Sequence, residues 1–62
     1  MLYQVRAYPS RLVGESGRVQ PSDEAKTGSF ATAQHEAKAL AAIYGASVLV
    51  NTKTGERLWF GA

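Results

Sequence analysis

Few side chains of this 62-residue sequence carry groups suited to catalysis or metal binding. The one histidine, His35, has no acidic or thiol residue at a metal-ligand spacing, so we expect it to be a solvated helix residue. Asp23 and Glu24 are adjacent acids in a polar stretch, which is typical of a solvated loop. The serines have no base nearby to activate a hydroxyl. We therefore predict no catalytic residue, no metal site and no cofactor, and we expect the protein not to be an enzyme.

A second group of side chains combines aromatic and basic residues that alternate along extended segments. Residues 2–8 place Arg6 and Tyr8 on one side, and residues 56–60 place Arg57 and Trp59 on one side. Aromatic residues and a leucine beside arginines are typical of a protein-binding hot spot. We therefore predict a partner-binding set that consists of Trp59, Arg57, Tyr8, Arg6 and Leu49.

The same composition also suits a sheet that stacks bases on Tyr8 and Trp59 and holds phosphates with arginines. The charge is mild for that function, because seven basic and five acidic residues give a net charge of +2. A committed nucleic-acid binder carries a basic stripe, and a scatter of solubilising charges explains the arginines as well. Nucleic acid is therefore the second choice of partner.

An amphipathic helix over residues 30–45 is the main element that must position these side chains. Small and apolar residues recur along one face with the helical period; they are Ala33, Ala37, Leu40, Ala41 and Tyr44. Thr32 is the expected N-cap, because its hydroxyl can accept from a free amide of the first turn. Gly45 is the expected stop. The many alanines make the helix thin, so its backbone can lie close to a sheet.

Extended segments on both sides of the helix predict the sheet. Residues 2–8 alternate and end at Pro9, and residues 46–51 are rich in β-branched side chains. Residues 52–55 read as a hairpin turn with Gly55 in a left-handed bulge, followed by a closing strand over 56–60. Between these elements we predict a short, irregular second strand in residues 12–20, around a turn at 14–17. Residues 21–28 read as a polar surface loop.

The order strand, strand, helix, strand, strand predicts one α+β domain over residues 1–62. The expected architecture is an antiparallel sheet of three or four strands with the helix packed on one face. The residues expected beneath the helix are Tyr3, Val5, Val48, Val50, Leu58 and Phe60. Leu49 and Trp59 then lie on the uncovered face. The Gly55 bulge leaves an alternative open, because a slip of one residue would bury Trp59 and expose Leu58.

The short length bears on partners and compartment. A chain of 62 residues buries only ~60% of its unfolded surface, so such domains use a disulfide, a metal or a partner subunit for support. The absence of cysteine excludes disulfides and thiolate zinc sites and fits a reducing compartment. No segment resembles a signal peptide or a membrane span. We therefore expect a cytoplasmic protein without membrane association, supported by a protein partner or by a homodimer.

Several short patterns carry a resemblance to known proteins: Tyr3-Gln4-Val5, Glu36-Ala37-Lys38, Val48, the turn at 53–57, and Trp59. Their layout resembles a class of very small β-β-α-β-β proteins from bacteria and phages, and is similar to the small type I-F anti-CRISPR inhibitors. The resemblance implies a non-enzymatic protein-binding module, namely a phage or mobile-element inhibitor that blocks a host defence complex. It implies no catalytic residue. The alternatives are a small nucleic-acid-binding module and a homodimeric structural protein.

Overall fold

The computed structural model describes residues 1–62 and contains four strands and two helices. Strands β1 (Tyr3–Tyr8), β2 (Asp23–Thr27), β3 (Ala46–Asn51) and β4 (Arg57–Gly61) form one antiparallel sheet in the order β2-β1-β3-β4. Helix α1 (Arg11–Glu15) follows β1, and the longer helix α2 (Phe30–Tyr44) precedes β3. The predicted α+β fold, a small antiparallel sheet with one main helix, is confirmed.

The core lies between α2 and one face of the sheet, and small residues dominate it. Its buried apolar members are Val5, Ala7, Ala33, Ala37, Leu40 and Leu49. Ala33 and Ala37 are fully buried, so the backbone of α2 lies close to the strands. The hydroxyl of the fully buried Ser47 donates to the carbonyl of Ala37, which satisfies the one polar side chain in this core.

The start of α2 differs from the prediction, whereas its end agrees with it. Ser29 is the N-cap, with φ −104° and ψ 125°, and its hydroxyl accepts from the amide of Thr32 at 3.3 Å. The prediction that Thr32 caps the helix is therefore wrong, because Thr32 lies inside the first turn. Gly45 ends the helix with φ 124°, and its amide donates to the carbonyl of Ala41 at 2.9 Å. A Cβ at position 45 would lie 2.2 Å from the carbonyl oxygen of Pro9, so glycine is required.

The two faces of β3 are exchanged relative to the prediction. Val5 of β1 pairs with Leu49, and Ser47 is the residue bonded to α2, so both Ser47 and Leu49 point towards the helix. Val48 and Val50 lie on the opposite face, although they were expected in the core. The alternation in residues 46–51 favours the β-branched Val48 and Val50 as core residues. Ser47 can replace one of them because the Ala37 carbonyl accepts its hydrogen bond.

β4 follows the predicted turn and the first of the two registers. Gly55 has φ 81°, and its amide donates to the carbonyl of Asn51 at 2.7 Å. Trp59 pairs with Val48, which places the indole on the face away from α2. Phe60 packs against the core. The alternative register, with Trp59 beneath the helix, is therefore excluded.

The segment between β1 and α2 departs most from the prediction. Residues 11–15 form α1 instead of a hairpin arm, and the hydroxyl of Ser10 caps this helix by accepting from the amide of Val13 at 3.2 Å. The second strand is formed by residues 23–27, which read as a loop. As an edge strand, β2 can leave its charged side chains in solvent while Ala25 packs against the core.

Candidate functional site

The sheet face opposite α2, which we name the open face, carries four of the five predicted binding residues. The cross-strand pairs define two rows across the four strands. One row is Glu24, Arg6, Val48 and Trp59, and the other is Lys26, Gln4, Val50 and Arg57. Arg6 and Arg57 are two strands and one row apart, which corresponds to roughly 12 Å between their Cα atoms.

Leu49 is the predicted binding residue that does not belong to the open face. It is 3% exposed and packs in the core beneath α2. The placement of Leu49 beside Trp59 on an uncovered face is therefore wrong, and Val48 and Val50 occupy the corresponding positions. Side chains alternate along a strand, so the error in the facing of β3 moved every residue of that strand to the wrong side.

Helix α1 covers one end of the open face, which the sequence did not predict. Gly14 lies on two aromatic rings: a Cβ there would be 2.7 Å from Cδ2 of Tyr8 and 2.6 Å from Cη2 of Trp59. The two ring centroids are 6.1 Å apart. The guanidinium carbon of Arg11 lies 5.8 Å from the centroid of the Trp59 ring, in the range of a cation–π contact. α1 is therefore held on the sheet by these aromatic contacts.

Helix α1 reduces the ring surface of Tyr8 and Trp59 that a partner could contact. Tyr8 is only 6% exposed, so its ring joins α1 to the sheet and presents little surface to a partner. Trp59 is half-buried, because Arg11 and Gly14 cover part of its indole ring. Arg57 is exposed and Arg6 is half-buried. The arginines are therefore the most accessible members of the predicted set.

A cavity of about 280 Å³ lies where the open face meets the chain from Gly14 to Pro21. Its lining combines aliphatic and aromatic side chains with two arginines and two acids. These residues are Val48, Val50, Trp59, Arg6, Arg57, Glu15 and Glu24. The arrangement is a partly apolar hollow with charged groups of both signs at its border.

The two arginines at the cavity have no carboxylate partner. The single ion pair of the molecule joins Arg11 to Glu15 at 2.6 Å. Nη2 of Arg6 donates to Oε1 of Gln4 at 2.9 Å, and no side-chain hydrogen bond engages Arg57. A guanidinium group presents several donors in one plane and binds carboxylates in a two-bond geometry. Both arginines can therefore donate hydrogen bonds to a carboxylate from outside the chain.

Of the other candidate residues, Glu24 borders this cavity, whereas His35 and Asp23 do not line it. His35 is exposed on α2. Asp23 and Glu24 lie in strand β2, so the loop prediction for them is wrong, and Asp23 accepts from the hydroxyl of Tyr44 at 3.4 Å. No three His, Cys, Asp or Glu side chains form a group that could hold a metal ion. None of the helices has the length and apolar character needed to span a bilayer.

Gly14 and α1 are the parts of the candidate site that sequence reasoning missed. Signals for the helix are present in the chain: a serine follows Pro9, and Arg11 and Glu15 stand four residues apart, where a helix brings them together. Leu12 and Val13, by contrast, are equally compatible with a strand. No protein-family model, curated protein or solved structure matches this chain.

Proposed function

We propose that this protein is a non-enzymatic protein-binding module that binds its partner with the part of the open face that α1 leaves free. The observation that carries the proposal is the pair of arginines, Arg6 and Arg57, which border a partly apolar hollow and have no carboxylate partner. Interface hot spots combine arginine and tryptophan with a desolvated apolar centre. The contact set of this proposal is Arg57, Arg6 and the accessible edge of Trp59, with Tyr8 acting through its support of α1.

The geometry of the arginines suggests the chemistry of the partner. They lie roughly 12 Å apart, which an extended segment covers in about three to four residues. An apolar side chain between two acidic residues would reach the valines of the hollow while its neighbours meet the guanidinium groups. The preferred partner is therefore an exposed protein segment with two carboxylates about three or four residues apart and an aliphatic or aromatic residue between them.

A nucleic-acid partner is the second candidate, and it is supported by three basic side chains on the open face: Arg6, Lys26 and Arg57. Two features favour protein instead. The net charge of the chain is only +2, well short of the basic stripe of a committed nucleic-acid binder. The buried Tyr8 and the partly covered Trp59 leave little ring surface for base stacking.

A narrower form of the proposal rests on the resemblance of the pattern in residues 30–60. In that form the protein is a phage or mobile-element inhibitor of the anti-CRISPR kind, and the open face occludes a host defence complex. A small domain suits that role, because the inhibitor needs only to cover a surface of its target. The identity of a captured partner tests this form directly.

To test the proposal, the tagged 62-residue chain is used to capture partners from a host lysate. The capture is done with and without nuclease treatment, and the bound proteins are identified by mass spectrometry. Arg57→Glu is the test variant. Lys38→Glu is the matched control, because it makes the same charge change at an exposed position of α2 on the other side of the sheet. We expect a stoichiometric protein that survives nuclease, is reduced roughly tenfold by Arg57→Glu and is retained by Lys38→Glu.

Two outcomes contradict the proposal. Equal capture by both variants would show that the open face is not the contact surface. Recovery of nucleic acid alone, with an affinity that falls steeply as salt rises, would favour the second candidate.

A further inference from the structure

The two edges of the sheet differ in how they are protected. β2 carries Asp23, Glu24 and Lys26, and charged side chains keep an exposed strand from pairing with another chain. β4 instead contains three large apolar residues in succession, Leu58, Trp59 and Phe60, with no lysine, acid or proline among its five residues. Arg57 is the one charged residue of β4, so its free edge is less protected against strand pairing than the edge of β2.

The pairing of β4 with β3 determines which of its peptide groups face outward. The amide of Asn51 donates to the carbonyl of Glu56 at 2.9 Å, and the amide of Ala62 donates to the carbonyl of Gly45 at 3.1 Å. Hydrogen-bonded positions alternate along an antiparallel strand, so residues 56, 58, 60 and 62 face β3. The peptide groups of Arg57, Trp59 and Gly61 therefore face the free edge.

We propose that two copies of this chain pair antiparallel along β4, with the two-fold axis at Trp59. In this register Trp59 lies opposite Trp59 of the second copy, and Arg57 lies opposite Gly61. It is the antiparallel register that places the outward-facing residues Arg57, Trp59 and Gly61 of both copies opposite one another. A closed dimer then contains one continuous eight-stranded sheet.

Charge and packing both favour this register. Arg57 faces a glycine of the second copy, whereas a two-fold axis at Arg57 would bring two guanidinium groups together. On the side of α2, Leu58 lies opposite Phe60 of the second copy. Leu58 is 44% exposed and borders a cavity of about 350 Å³ that Tyr3 and Phe30 also line. The new apolar pair therefore forms beside existing apolar surface.

A second copy is the occupant best matched to this edge, because the edge complements itself in hydrogen bonding and in charge. The core of a single copy also has little apolar volume, since its largest fully buried side chains are Val5 and Ser47. Small domains without disulfides or metals often gain support from association. The inference is independent of the proposed function, because the pairing uses the peptide group of residue 57 and not its guanidinium group.

The first test uses the unaltered chain. We expect sedimentation equilibrium from low micromolar to ~1 mM protein to show a dimer that grows with concentration. In the same range, hydrogen exchange measured by NMR should slow at the amide of Trp59 by tenfold or more. The amide of Leu58 faces β3, so it should be protected at every concentration.

Lys26 provides the internal control for exchange. The amide of Thr52 donates to the carbonyl of Leu2 at 2.9 Å, so the alternation along β1 directs residues 3, 5 and 7 towards β2. Their partners in β2 face inward, and the amide of Lys26 faces the free edge. Its exchange should stay fast and independent of concentration.

A pair of proline variants separates this edge from any other surface. Arg57→Pro removes an outward-facing amide of β4, and Lys26→Pro removes one of β2. We expect Arg57→Pro to abolish the dimer and Lys26→Pro to keep it, whereas Arg57→Glu, which retains the amide, should still dimerise. A monomer throughout the range, unchanged exchange at Trp59, or a dimer that persists in Arg57→Pro would overturn the proposal. If a proline variant does not fold, the exchange measurement on the unaltered chain decides.

Discussion

Replacing Gly14 with alanine should separate α1 from the open face. The added Cβ would lie 2.6 Å from Cη2 of Trp59 and 2.7 Å from Cδ2 of Tyr8, closer than side-chain carbons approach each other. Tyr8 is almost fully buried and cannot move aside easily. The strain should therefore be relieved by displacement of α1 and of the indole.

Two opposing effects set the size of the change. Overpacking of this kind costs about 1–3 kcal/mol. Alanine in a helix is favoured over glycine by about 1 kcal/mol, which offsets part of the cost. We therefore expect Gly14→Ala to lower the free energy of unfolding by about 1 kcal/mol, or a decrease in Tm of roughly 4–8 °C for a domain of this size.

Thermal unfolding followed by circular dichroism measures the stability, and fluorescence measures the local environment. Trp59 is the one tryptophan of the chain, so a red shift of the emission reports directly that its ring has become more exposed. Gly28→Ala is the matched control, because a Cβ at that position meets nothing within 4 Å. It should leave both signals unchanged or raise Tm slightly. If Gly14→Ala were as stable as the control and kept the native emission, the packing of α1 on Trp59 would be refuted.

Three further predictions concern the connections of α2, all read by urea unfolding. Ser29→Ala should cost about 1 kcal/mol and Thr32→Ala less than about half of that, because Ser29 caps the helix; the reverse order would restore the cap to Thr32. Gly45→Ala should cost at least about 2 kcal/mol, because of its φ of 124° and the contact with Pro9, and a neutral result would contradict the close approach. Ser47→Ala should cost about 1 kcal/mol through the lost hydrogen bond to α2, and a stabilised variant would show that this bond contributes nothing.

The elements that could be predicted from the sequence have a signal contained within themselves. The apolar period of α2, the alternation of β1 and the turn before Gly55 each depend on neighbouring residues alone. Gly45 could be identified as a helix stop for the same reason. The alternation of β1 also determines which face of the sheet carries Arg6. For Arg57 of β4, the face follows once the register after the Gly55 turn is known.

The elements that could not be predicted depend on tertiary contacts. Residues 23–27 carry little strand signal, and they extend because β1 offers free peptide groups at its edge. The facing of β3 depends on whether a serine can be buried, which a carbonyl of α2 decides. The position of α1 depends on the absence of a side chain at Gly14. In each case the deciding partner is far away in the sequence.

These errors change the predicted binding site less than they change the predicted fold. The wrong facing of β3 exchanged Leu49 for Val48 and Val50, but one aliphatic surface replaced another. The unexpected cover by α1 matters more, because it removes Tyr8 from the surface and leaves the arginines as the accessible groups. The proposed contact surface therefore changes from an aromatic patch to a charged border around a partly apolar hollow.

β4 would link the two proposals, because one strand supplies a guanidinium group to the open face and a free backbone edge to the dimer. A two-fold axis at Trp59 places both open faces on the same side of the joined sheet, with both copies of α2 on the other side. The dimer then presents two arginine pairs to one partner surface. A target with two acidic segments would gain avidity from this arrangement without any new contact. Arg57→Pro and Arg57→Glu both remove the guanidinium group, but only Arg57→Pro should remove the dimer. Relative to Arg57→Glu, Arg57→Pro ought therefore to lose far more affinity for a two-segment target than for a single acidic peptide. An equal relative loss for both ligands would mean that one copy binds alone.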